Sequence, residues 1–274
     1  MILARISRAI REQNWFAVAL EFIIVIAGVV IGFQITAMNA ARAERDAERE
    51  YLGRLVVDLQ DASAEIQSQI AFEQEAIQLV SLALGFANEI RGDAWGSEMV
   101  PEELSAALSM LTIRRTLVIN SPTYFELQSA GRLSLIRDRR LRETLISFFG
   151  TAARSEAIFL QNNEHFVDFG FNQFIREKGI AIRLRPAGLG RVPPTSLDWP
   201  DMADLLEERL HRDVSSSNPE TLDRDANDAF WEALRVQLAW RANIAVVNEN
   251  SAERMELERS ETQAIIQAYL EAAR

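Results

Sequence analysis

A chain of 274 residues with 48% hydrophobic residues has the length for one large domain or two small ones, and its lack of cysteine excludes a disulfide framework, a thiolate metal site and a cysteine nucleophile. The formal charge of −11 is unevenly spread: Arg5, Arg8 and Arg11 outweigh Glu12 in residues 1–14, and the acidic excess falls in residues 37–274. An acidic body argues against nucleic acid as a partner, because that needs a basic surface to displace counterions.

In chain order, residues 1–14 place Ile2, Leu3, Ile6 and Ile10 within one arc of a helix, opposite Arg5, Arg8 and Arg11. This predicts an amphipathic basic tail that lies flat on a leaflet. The next 22 residues, Trp15–Thr36, carry two strongly polar side chains, Glu21 and Gln34. At about 1.5 Å per residue the segment reaches roughly 33 Å, the depth of a bilayer core, so a transmembrane helix is predicted over residues 15–36. It is too long and too interrupted for a cleaved signal peptide. The three arginines before it favour an N-terminus held inside and a body outside; Arg42, Arg45, Arg49 and Arg54 on the far side weigh against that orientation.

The helix is expected to continue to about residue 91. Leu52, Leu55, Leu59, Ala62 and Ile66, then Ile77, Val80, Leu84 and Ala87, keep spacings of three and four, and the charges of residues 42–50 alternate as on a solvated helix. Gly92 and residues 93–97 end it. A short helix opens at Pro101 and runs to about Thr116. A brief one starts at Ser121-Pro122 and stops at Gly131, followed by a connection over residues 132–136. Asp138 is placed to cap a long helix that ends at about Lys178, closed by Gly179.

Four of the seven prolines fall between Pro186 and Pro200, which marks a loop over residues 179–200, with a short strand possible at Ile180–Leu184. A short helix is expected over residues 201–213. Asn218-Pro219-Glu220 signals the start of a last helix running to Ala272. Its expected apolar stripe is Leu222, Ala226, Phe230, Ala233, Trp240, Ile244 and Val247, resumed by Ile265 and Tyr269. The fold class is therefore all-α: an N-terminal transmembrane helix, then an elongated helical bundle body over residues 37–274 with three long helices, the first and last of them antiparallel.

Two stretches carry a resemblance. Glu21–Gln34, followed by Asn39 and a charged helix, and Tyr124–Ile136 are similar to the two motifs of a family of bacterial single-span membrane proteins catalogued as a domain of unknown function. Met38 stands where that family usually has tryptophan. The resemblance covers residues 14–60 and 120–148. It implies a membrane anchor with a helical body and carries no known activity.

Glu21, Gly28, Gly32 and Thr36 share one face of the span. Small residues four apart let helix backbones approach, and a carboxyl within a bilayer is costly unless shielded or reached by water. One reading is a helix-association face, for self-association or for another membrane protein; the other is a glutamate that snorkels beside incidental glycines. Arg132, Arg137, Arg139, Arg140 and Arg142 are possible contacts for an anion or a partner, and equally suit pairing with acidic helices. Glu164, His165 and Asp168 fit one helix face, but a metal needs more ligands than the sequence supplies nearby, His211 being the only other histidine. No phosphate loop, zinc-protease motif or nucleophile elbow occurs, so no cofactor and no enzyme activity is implied. The function expected is a membrane-anchored helical scaffold or interaction module. Its rival is a periplasmic ligand-sensing bundle that signals through a partner, since a tail of about 14 residues is too short for an output domain.

Overall fold

The structure is a computed structural model that describes residues 15–92, 101–180 and 221–272. The basic tail, the turn at residues 93–97, most of the loop and strand expected after Gly179, the helix expected at residues 201–213, His211 and the Asn218–Glu220 start signal lie outside those residues. Every element among the described residues is helical, and the fold is all-α. Two compact units divide the chain, Met1–Gly53 and Arg54–Arg274.

Helix α1 runs from Trp15 to Ile90 and ends where Gly92 takes a φ of 82°. A positive φ costs glycine little and stops the helix by turning the next amide back to it, here with the Gly92 amide donating to the Glu89 carbonyl at 2.9 Å. In the first unit, side chains from Ala19 to Ala40 are exposed, among them Phe22, Val29 and Phe33 at 66%, 67% and 76%. Within α1 an 18-residue window reaches a mean hydropathy of 2.2 and is not buried, so the helix is long and apolar enough to cross a membrane.

In the second unit, α2 covers Pro101–Met110, six residues shorter than the expected end at Thr116. The Thr112 hydroxyl donates to the Ser109 carbonyl at 2.5 Å and the Ile113 amide to Met110 at 2.9 Å, so the last turn tightens and the chain leaves as a non-helical segment. Helix α3, Pro122–Ser129, starts as expected, with the Ser121 hydroxyl accepting from the Tyr124 amide at 3.2 Å. The same hydroxyl donates to Asp58 Oδ2 at 2.6 Å, and the Thr123 amide donates to that oxygen at 3.0 Å. One carboxylate of α1 therefore fixes where α3 begins. A 3-10 turn at Leu133–Leu135 fills the connection, after Gly131 with a φ of 65°.

Helix α4, Arg139–Asn162, is capped by Asp138, whose Oδ1 accepts from the Leu141 amide at 2.7 Å. The expected continuous helix to Lys178 is instead interrupted: a π-helix spans Asn163–Phe171 before α5, Asn172–Glu177, ends at Gly179 with a φ of 71°. Its two flanking amides supply a reason. Asn163 donates to the Arg115 carbonyl at 2.7 Å and Asn172 to the Thr112 carbonyl at 3.2 Å. Nine residues make two and a half turns of an α-helix and would face opposite ways. Widening to i→i+5 hydrogen bonds lets both amides meet the same unpaired segment.

Helix α6 covers Ala229–Ala272, about ten residues later than the start signalled by Asn218-Pro219. Asp228 supplies the start, its Oδ1 accepting from the Phe230 amide at 2.8 Å, while residues 221–228 form turns. Helices α1 and α6 lie antiparallel. Arg91 meets Glu232, Gln74 meets Glu249, Ser63 meets Glu256, and Arg259 reaches the Leu59 carbonyl, one number falling as the other rises.

The core follows a three-four alternation on both helices. Buried positions on α1 are Leu55, Leu59, Ala62, Ile66, Gln69, Glu73, Ala76, Val80, Ala83 and Ala87. On α6 they are Trp231, Leu234, Leu238, Arg241, Ala245, Asn248, Ala252, Met255, Arg259, Thr262 and Ile266, with Phe230 and Ile244 of the expected stripe buried beside them. Two expected stripes are corrected here. Ile77 and Leu84 sit at the edge of the core, with Phe72, Leu79 and Phe86 buried. On α6, Trp240, Val247 and Ile265 are exposed, at 51%, 40% and 36%, and polar residues take the inner positions. Near its N-terminus α6 packs Trp231 against Phe86 and Phe230, with ring centroids 6.2 and 5.0 Å away.

Candidate functional site

Glu21, Gly28, Gly32 and Thr36 all lie on the exposed surface of α1. At 100° per residue they fall within an arc of about 80°. A Cβ built on Gly28 or Gly32 meets nothing within 4 Å, so both positions are open to an incoming helix. Thr36 donates its hydroxyl to the Gly32 carbonyl at 3.0 Å, one turn back. Its donor is thus used inside the helix, and close approach along this face depends on packing more than on an interhelical hydrogen bond from Thr36.

The five arginines cluster around the start of α4, and Arg132, Arg137, Arg139 and Arg140 are exposed. Arg139 pairs with Glu143 at 2.7 Å one turn on, and Arg142 donates to the Ile136 carbonyl at 2.6 Å. The position that the helix dipole would offer an anion is taken by the Asp138 carboxylate. Arg139 and Arg142 are thus engaged within their own segment. Glu164, His165 and Asp168 sit in the π-helix, where the spacing that would align them on an α-helix no longer applies. Asp168 pairs with Arg114 at 3.0 Å, and His165 Nδ1 lies 3.2 Å from the Gln161 carbonyl. Among the described residues no three histidine, aspartate or glutamate side chains are placed to hold a metal ion.

Sequence reading missed a polar layer inside the α1–α6 seam. Glu73, Gln69, Arg241 and Asn248 are each at most 2% exposed. Glu73 Oε1 accepts from Gln69 Nε2 at 2.7 Å and from Asn248 Nδ2 at 3.0 Å. Its Oε2 lies 3.8 Å from Arg241 Nη1. Arg241 Nε donates to the Leu111 carbonyl at 3.2 Å, and Asn162 of α4 donates to Asn248 Oδ1 at 2.9 Å. Four chain segments therefore meet around one buried ion pair. Burial dominates its electrostatics: it pushes the Glu73 carboxyl up to about 7 despite the attraction of Arg241, and it holds Arg241 below its ordinary value despite Glu73. The signal available in the sequence was the three-four register itself, which places Gln69 and Glu73 in line with Leu55, Leu59 and Ile66.

A second polar surface lies between α4 and α6, an open groove of about 320 Å³ lined by Thr144, Ser147, Thr151, Glu258, Glu261 and Thr262 among others. No family model, curated protein or solved structure matches the chain.

Proposed function

We propose that the chain is a membrane-anchored helical scaffold or interaction module of a bacterial inner membrane, with one span over residues 15–36, its N-terminus in the cytoplasm and its body in the periplasm. The observation that carries this reading is the unburied apolar surface of α1 from Leu20 to Met38, which in water would be an aggregation surface and in lipid is ordinary. The resemblance of Glu21–Gln34 and Tyr124–Ile136 to single-span membrane proteins supports it. The body is a coiled-coil-like bundle of three long helices, a reading supported by the three-four alternation along α1 and α6. Self-association, or capture of another membrane protein, runs through the Glu21–Gly28–Gly32–Thr36 face. The α4–α6 groove supports the alternative of a ligand-sensing bundle, since its hydroxyl and carboxylate lining suits a small polar solute.

Orientation is tested by fusions after Arg274. An alkaline phosphatase there is expected to be active and a fluorescent protein dark; the reverse pattern refutes a periplasmic body. The association face is tested in the full chain and in the isolated span. Gly28→Ile with Gly32→Ile is expected to weaken association in the membrane at least tenfold, because the added side chains hold backbones apart. Val25→Ile with Val29→Ile is the control, and equal association of both double variants would make the glycines incidental.

A further inference from the structure

The polar layer has unmet hydrogen-bonding capacity in a particular arrangement. Glu73 Oε2, Arg241 Nη1 and Gln69 Oε1 are all buried without a hydrogen-bond partner. Both amide donors converge on Glu73 Oε1, which suits an ionised carboxylate opposed to the Arg241 guanidinium. That state leaves the Gln69 carbonyl oxygen orphaned one turn away on the same helix. Half a turn of the Gln69 amide would bring its Oε1 to where Nε2 now sits, 2.7 Å from Glu73 Oε1. A proton taken up from solvent on Glu73 Oε1 would then run the same contact in the opposite direction, from carboxyl to amide oxygen. Each protonation state of the Glu73 carboxyl thus has a partner at this contact.

We propose that Glu73 is a proton-operated switch in the packing of α1 against α6, paired with Arg241 as a carboxylate and donating to Gln69 Oε1 as a carboxyl. The charged groups that face it come from α6: Arg241, which favours the carboxylate, and Glu249, which opposes it. The segment after α2 contributes the Leu111 carbonyl, which anchors Arg241, and α4 contributes the Asn162 amide, which holds Asn248 with its donor towards Glu73. Beside Arg241 is a cavity of about 10 Å³ lined by Phe72, Ala76, Leu111 and Ile113 among others. That is about the room of one water.

Desolvation places the carboxyl at about 7, against 4.5 for an ordinary glutamate. Between those values the folded chain holds a proton that the unfolded chain has released, so stability falls as pH rises through the window. In a cell envelope whose pH follows the surroundings, the switch would loosen the seam on the alkaline side of neutral.

The test uses the full chain in lipid nanodiscs, with ¹³C-labelled glutamate and glutamine side chains. The Glu73 carboxyl signal, identified by its absence in Glu73→Gln, is expected to titrate with a midpoint near 7, and the Gln69 side-chain amide signals should move with the same midpoint. A carboxyl midpoint in the ordinary range near 4.5 overturns the switch, as does a Gln69 amide that ignores the titration. If Glu73→Gln does not fold, backbone-correlated assignment of the unaltered chain gives the same two signals. Where it folds, the folding equilibrium of the unaltered chain should worsen relative to Glu73→Gln by on the order of 100-fold between pH 5 and pH 8. Parallel pH profiles overturn the proposal.

Discussion

Replacing Trp231 by alanine is expected to cost about 4 kcal/mol of folding stability, the largest loss for any single apolar truncation in the body. The indole is fully buried and is the largest such side chain in the core. It packs edge-on to Phe230, which in turn stacks on Phe174 of α5, and tilts against Phe86 near the end of α1. Its Nε1 also donates to the Asp225 carbonyl at 3.1 Å, tying the turn before α6 to the helix it precedes. Removing it opens a void bounded by three helices and unpins that turn. Trp240 provides the internal comparison: it is half-exposed, stacked on Phe166 at 5.7 Å, and its loss should cost under about 1 kcal/mol. Urea unfolding of both variants decides the matter. Equal destabilisation would mean that α6 is rotated from the orientation described here.

The second large effect is an asymmetry between the partners of the buried ion pair. At pH 8, where the Glu73 carboxyl is mostly ionised, Glu73→Met is expected to cost about 4 kcal/mol, because Arg241 stays charged and loses its counter-charge in the interior. Arg241→Met should cost less, about 2 kcal/mol, because the remaining carboxyl can bind a proton and become neutral whereas a guanidinium cannot release one. The double substitution should recover most of the loss, since two apolar side chains of similar volume need no compensation. Denaturant unfolding of the two single variants and the double variant gives the coupling directly. Additive losses, or a costlier Arg241→Met, would contradict the electrostatics assigned to this layer. The same layer explains why α1 and α6 meet in one register: sliding either helix by a turn would bring Glu73 or Arg241 opposite an apolar side chain.

Several features of this fold are local and were legible from residue order alone. Ser121, Asp138, Gly131 and Gly179 act where their chemistry predicted, because a cap or a left-handed turn depends only on the few residues around it. The apolarity of residues 15–36 is likewise a property of the segment itself. The inner face of α6 was legible only in part: Phe230 and Ile244 are buried as expected. Apolar spacing selected Trp240, Val247 and Ile265, and the structure exposes them while burying Arg241, Asn248 and Arg259. A polar side chain can be buried only if a partner meets it there. Those partners include Glu73, Asn162 and the carbonyls of Leu59 and Leu111, as many as 200 residues away along the chain, beside the neighbouring Glu256 and Gln263 that also hold Arg259. The π-helix at Asn163–Phe171 has the same origin, since Asn163 and Asn172 reach a segment about 50 to 60 residues earlier. Sequence periodicity therefore determined which segments are helical and where most of them begin. Apolar spacing also placed most of the inner face of α1, from Leu55 to Ile66. Tertiary pairing decided where those faces are polar, because the sign of a polar residue's burial energy depends on whether its partner is present.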